Sequence, residues 1–146
     1  TNHEVLLDPA VWRRFEMRIL VPKPNYVARL KIIEKYINPL NFTTEEIKFL
    51  TVLTDGFNGS DIQLMLNHFK RMSAIGNADQ TFIEAVRSFA VIHAGSEVNE
   101  FMQLLSNNQD AAIMSLLHKK HEFTQKEIAL VFDVTQSKVS RNIKES

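Results

Sequence analysis

The chain opens Thr1-Asn2-His3-Glu4-Val5-Leu6-Leu7-Asp8-Pro9-Ala10-Val11-Trp12-Arg13-Arg14-Phe15-Glu16-Met17-Arg18-Ile19-Leu20-Val21-Pro22-Lys23-Pro24. Two adjacent arginines sit between Trp12 and Phe15, ahead of the apolar run Ile19-Leu20-Val21. The spacing predicts guanidinium groups beside the edge of one short strand, where they can reach an anion on another surface. A surface ion pair with Asp8 or Glu16 is the plainer alternative. The stretch has no initiator Met, and reads as the last piece of an α/β domain whose other strands are expected upstream.

In this stretch, through Thr1-Asn2, Leu7-Asp8-Pro9-Ala10, Arg13-Arg14-Phe15, Arg18-Ile19 and Pro22-Lys23-Pro24, the chain resembles the AAA+ ATPases. The resemblance covers about residues 1 to 93 and implies residue roles. Asn2 resembles the sensor 1 residue that helps to position the attacking water near the γ-phosphate. Arg13 and Arg14 resemble the arginine-finger pair that reaches a neighbouring subunit's ATP, a role suited to a planar, permanently charged fork. It further implies a homo-oligomeric ring, with ATP and Mg bound by the full-length parent.

Downstream of Pro24, helical periodicity takes over. Asn25 is a candidate N-cap for a helix carrying Tyr26, Leu30, Ile33 and Ile37 on one face, stopped by Asn38-Pro39. Thr43 and Glu46 form a capping box for a second helix with Ile47, Leu50 and Leu53 inward, ended by Thr54-Asp55-Gly56. Ser60 is read as the cap of a third helix with the stripe Ile62, Met65, Leu66, Phe69 and Met72. Thr81 begins a fourth with Phe82, Val86, Phe89 and Ala90. Four helices with short joints make a small bundle, which the resemblance identifies as the nucleotide-covering lid. Within it, Gly59, Ser60 and Asp61 resemble the lid's nucleotide-facing turn. A helix start does favour anions, but most such turns are simply capped helices.

Gly95-Ser96 ends that block. Val98, Met102 and Leu105 predict a connecting helix, and Ile113, Leu116 and Leu117 another from about Asp110. The tract from Phe123 to Arg141 then resembles helix-turn-helix DNA-binding proteins. Small Ala129 permits a close crossing, Asp133 occupies a turn position that demands positive φ, and Val134, Val139 and Ile143 face inward. Outward-facing Thr135, Gln136, Ser137, Lys138, Ser140 and Arg141, with Gln125 and Lys144, are of types that read base edges and grip phosphates. Asn142 stands where an apolar residue is common, so the second helix is expected either to end early or to rotate onto Ile143. From residue 118 onward six Lys/Arg face four Asp/Glu, a mild basic bias. Packing of this unit against the ring or a partner protein is the alternative to DNA contact.

Composition sets limits. A chain of 146 residues, 45% of them hydrophobic, has room for a core, and its 17 basic and 17 acidic residues balance. Without cysteine there are no disulfides, thiolate zinc sites or cysteine nucleophiles. No apolar run approaches a bilayer span and nothing resembles a signal peptide, so no membrane partner and a cytoplasmic location are expected. His118 and His121 lie i, i+3, but no third ligand joins them, so no metal site is assigned. Glu45, Glu46 and Asp110 suit the first turns of helices rather than catalysis. No Gly-x-x-x-x-Gly-Lys-Ser/Thr loop is present, so this chain by itself is expected neither to bind nor to hydrolyse ATP.

The expected architecture is mainly α: residues 1–24 as the C-terminal edge of the AAA+ large subdomain with one short strand, 25–94 as a four-helix lid, and 95–146 as a helix-turn-helix tri-helical unit. The competing class is a non-enzymatic helical adaptor that binds a protein substrate or partner.

Overall fold

The structure, a computed structural model, describes residues 22–75, 80–93 and 99–145. Asn2, Arg13, Arg14 and the expected strand at Ile19-Leu20-Val21 therefore lie outside the described residues, as do Gly95-Ser96 and Val98. Among the described residues the chain is mainly helical, with no strand. In order come α1 Tyr26–Tyr36, α2 Thr44–Leu53, α3 Gly59–Ala74, α4 Phe82–Ile92, α5 Glu100–Ser106, α6 Asp110–Lys120, α7 Gln125–Phe132 and α8 Gln136–Glu145.

Local sequence explains most of the helix starts. Asn25 accepts from the Ala28 N–H at 2.9 Å. Thr43 with Glu46, Thr81 with Glu84 and Thr124 with Glu127 each close a reciprocal capping box, an arrangement in which the cap is worth about 1 kcal/mol. The third helix departs from expectation. Its cap is Asn58, which exchanges hydrogen bonds with Asp61 at 2.9 and 3.0 Å, so Ser60 lies inside the first turn. Asn58 is the cap because Asp61, three residues after it, completes the reciprocal box.

The first helix is also rotated from its expected face. Tyr26 is exposed, whereas Arg29 is only 6% exposed and turns inward beside Ile33. Its donors find acceptors there, which is what makes a buried guanidinium tolerable.

One apolar cluster runs from Ile33 on α1 to Val139 on α8. Phe49 of α2 is central, with edge-on ring contacts to Phe82, Phe101 and Phe132 at centroid separations of 6.0, 6.4 and 6.3 Å. Helix α1 packs on α2 and on α3, α4 packs on α3 and α5, and α7 packs on α2, α4, α6 and α8. The helices after residue 99 thus share their apolar contacts with those before it.

Candidate functional site

The turn between α2 and α3 is set by a glycine. Gly56 has φ +80°, a conformation that L side chains rarely adopt. The Asp55 and Phe57 N–H groups bond back to the Val52 and Thr54 carbonyls. The chain then enters α3 through the Asn58–Asp61 box. Gly59 is half-buried, with Ile32 Cδ1 3.9 Å from where a Cβ would stand, and Ser60 is exposed.

A helix start leaves its first N–H groups without intrahelical carbonyls. Here Asp61 N is taken by Asn58 Oδ1, which leaves those of Gly59 and Ser60 to solvent or a ligand. The Asp61 carboxylate, bonded to the Asn58 N–H, puts a negative charge in this first turn that opposes a second anion. These residues therefore suit the neutral polar edge of a base or ribose better than a phosphate. Among the described residues no group of three His, Cys, Asp or Glu is placed to hold a metal ion.

The turn has supports that sequence reasoning missed. Arg29 Nε donates to the Thr51 carbonyl at 3.1 Å, and its Nη1 to the Pro24 carbonyl at 3.0 Å and Asp55 Oδ1 at 2.9 Å. From the other side, Asn99 Nδ2 donates to the carbonyls of Leu53 and Asp55 at 2.5 and 2.9 Å. A cleft of about 410 Å³ adjoins them, lined by Tyr26, Arg29, Lys48, Val52, Asp55, His121 and Glu122. Burial holds the His121 imidazole below its ordinary pKa, with Asp55 opposing and Lys120 adding to the depression. No spacing rule pairs residues this far apart, so nothing in the sequence points to these contacts.

In the C-terminal tract the expected helix, turn and helix are present. Asp133 takes φ 51°, ψ 49°, and the Val134 N–H bonds back to Ala129 O at 3.0 Å. Val139 is buried, and Val134 and Ile143 are half-buried against the core. The second helix does not stop at Asn142, whose Nδ2 lies 3.3 Å from Met114 Sδ. Thr135, Gln136, Ser137, Lys138, Arg141 and Lys144 are exposed, whereas Gln125 and Ser140 are half-buried. Gln136, Ser137, Lys138, Arg141 and Lys144 are thus exposed along α8, Thr135 stands just before it, and Gln125 opens α7.

Helix α7 is tied to α2. Lys48 Nζ lies 2.7 Å from Glu127 Oε1 and 4.2 Å from the centre of the Phe123 ring. The Lys48 ammonium, helped by the Thr124 backbone N–H, holds the Glu127 carboxyl down at about 2. The two histidines separate: His118 Nδ1 bonds the Phe123 carbonyl at 2.8 Å, and the His121 ring packs 5.3 Å from that of Phe101. Among the described residues no helix is long and apolar enough to cross a membrane.

No family model matches the chain. No solved structure matches it. Curated relatives do. Fidgetin-like protein 1 of Drosophila melanogaster is 41% identical over 70 residues, 47% of this chain and 13% of that protein. The ATP-dependent zinc metalloprotease FtsH 4 of Synechocystis is 35% identical over 82 residues, 54% of this chain and 13% of that protein. Spastin of Danio rerio is 37% identical over 94 residues, 62% of this chain and 15% of that protein. The matched stretches thus amount to well under a fifth of these relatives' length. The relatives are AAA+ ATPases, and this chain is similar to them over part of its length and at modest identity.

Proposed function

We propose that the chain is the C-terminal part of an AAA+ ATPase, in which residues 1–24 close the large subdomain, 25–94 form the lid and 95–146 form a helix-turn-helix unit. The observation that carries this is the 41% identity to an AAA+ relative across 70 residues. In the parent, ATP and Mg are bound by motifs upstream. Asn2 attends the subunit's own γ-phosphate, and Arg13 and Arg14 complete the site of the neighbouring subunit in a homo-oligomeric ring. The Gly59, Ser60 and Asp61 turn lies against the nucleotide's neutral edge. A trans-acting arginine is worth about 10³ to 10⁵ in rate. Replacing Arg13 and Arg14 by Ala in the full-length protein is therefore expected to abolish turnover while ATP binding persists. Residual turnover with lost binding excludes the trans role.

The tail is proposed to contact duplex DNA through α8. What supports this is an exposed row of Gln136, Lys138, Arg141 and Lys144 on a helix whose first turn carries no acid. Titration of duplex DNA at two salt concentrations tests it. Two phosphate contacts contribute about 1.8 to the logarithmic salt slope, which the Lys138→Ala, Arg141→Ala double variant should lose. The adaptor reading keeps one favourable observation, the seating of α7 on α2 through Lys48 and Glu127. Salt-independent binding, or binding unchanged in the double variant, selects it over DNA contact.

A further inference from the structure

The last four carbonyls of a helix have no intrahelical donor and must be satisfied from elsewhere. In α2 these belong to Leu50, Thr51, Val52 and Leu53. Leu50 is met by the Thr54 N–H and hydroxyl, Val52 by the Asp55 N–H, and Thr51 in part by the same Thr54 hydroxyl at 3.3 Å, all local to the turn. Distant side chains complete the set. Arg29, 22 residues before Thr51, donates to its carbonyl, and Asn99, 46 residues after Leu53, donates to that one. Both donors then continue to the next feature of the turn: Arg29 to the Asp55 carboxylate and Asn99 to the Asp55 carbonyl.

Each donor also grips the segment on its own side. Arg29 Nη1 holds the Pro24 carbonyl, on the segment that leads in from residue 21. Asn99 Oδ1 accepts from the Met102 N–H and so caps α5, the first helix of the C-terminal unit. A cation at a helix C-terminus also complements the local dipole. A guanidinium at 6% exposure loses hydration, and an apolar side chain would fill that space without the loss, so what the arginine adds is connection.

We infer that Arg29 and Asn99 are positioning residues which clamp the Leu53–Asn58 turn from two sides. They make the start of α3 sensitive both to the direction in which the chain arrives at Pro24 and to the seat of the C-terminal helices. The link to nucleotide rests on the proposed role of Gly59, Ser60 and Asp61, whereas the clamp itself does not. The coupling element is short: Gly56 and Phe57 alone separate the last clamped carbonyl, that of Asp55, from the cap Asn58. A change transmitted through Arg29 or Asn99 therefore arrives at the α3 N–H groups with little chain left to absorb it.

Amide hydrogen exchange of the 146-residue protein tests the clamp. Arg29→Met removes the donors and keeps an extended side chain. Asn99→Ser keeps a good cap for α5 but is too short to reach α2. Arg87→Met is the control, breaking the 2.7 Å pair with Asp110 between α4 and α6. Exchange over residues 54–61 should accelerate about ten-fold in the first two variants, with α7 at its wild-type rate and the control unchanged over 54–61. Uniform acceleration along the chain, or none, overturns the inference.

In the full-length parent, whose upstream motifs are proposed to hold the nucleotide, ADP supplies a readout that general loosening does not move. It should slow exchange at residues 59–61 of the wild type. Its affinity should fall about five-fold or more in Arg29→Met and Asn99→Ser and hold in Arg87→Met. Unchanged affinity in the two clamp variants overturns their positioning role. Absence of any ADP effect on the wild type instead removes the nucleotide role of the turn, and the exchange comparison then decides the clamp alone.

Discussion

Two turns in this protein have the same plan and different finishes. After α2 and again after α7, one residue at positive φ, Gly56 or Asp133, reverses the chain into a new helix. The start of α3 is closed: Asp61 caps its own Asn58, and Arg29 and Asn99 hold the turn from behind. The start of α8 is open. Its first turn carries no acid, and Thr135 accepts only a long 3.4 Å bond from the Lys138 N–H beside a 3.0 Å bond to its carbonyl. A helix start that contains a carboxylate disfavours phosphate, and one that contains a lysine invites it. The same supersecondary plan thus carries a carboxylate in the first turn of one helix and a lysine in that of the other.

The largest disruption of this comparison comes from beneath both turns. Phe49 touches rings on α4, α5 and α7, so Phe49→Ala should cost about 3 to 5 kcal/mol and unfold both regions together. Denaturant melts followed separately by exchange in α3 and α8 check this, and an α8 unaffected by the change would make the two turns independent.

Gly56→Ala should come next. Nothing lies within 4 Å of the added Cβ, so its cost is that of the left-handed backbone alone, about 1 to 2 kcal/mol. Asp133→Gly relieves the equivalent conformation at the other turn and should raise stability by at most about 1 kcal/mol, read as a higher thermal midpoint. Opposite signs at the two positions would sharpen the comparison, and equal signs would break it.

The smallest effect concerns the bridge between the regions. Glu127, held at about 2 against an ordinary 4.5, contributes stability that is complete above about pH 4.5 and is lost as pH falls through about 2. Lys48→Met should move that carboxyl upward and flatten the acid limb between those values, as measured by acid titration of unfolding. An acid limb unchanged by the substitution would show that the capping bonds from Thr124, not the ammonium, hold the proton off.

Much of this arrangement was legible in the sequence because its signals are local. Asn25, Thr43 with Glu46, and Thr81 announce their helices by spacing alone, and Asp133 announces a turn by the rarity of residues that accept positive φ. The third helix misleads because Asn58 and Ser60 are both good caps, and the choice falls to a reciprocal bond from Asp61. Arg29 was not legible: it sits in an amphipathic stretch where Tyr26 makes the more plausible inward residue, and only carbonyls supplied by α2 and Pro24 turn it inside. Lys48 and Glu127, 79 residues apart, carry no local signature at all. In the proposed DNA-facing set the expected outward direction agrees with exposure at Thr135 through Lys138, Arg141 and Lys144. Gln125 and Ser140 are partly covered, because the helices they stand on are themselves packed.

Glu127 serves two masters: one oxygen seals the first turn of α7 against Thr124 and the other meets Lys48 of α2. Anyone grafting a foreign C-terminal module onto this bundle inherits that double duty. A replacement whose corresponding helix begins with an acid at its third position keeps both bonds with no further redesign. One that begins otherwise strands a half-buried ammonium over an aromatic ring, and the chimera must supply a new counterion for Lys48.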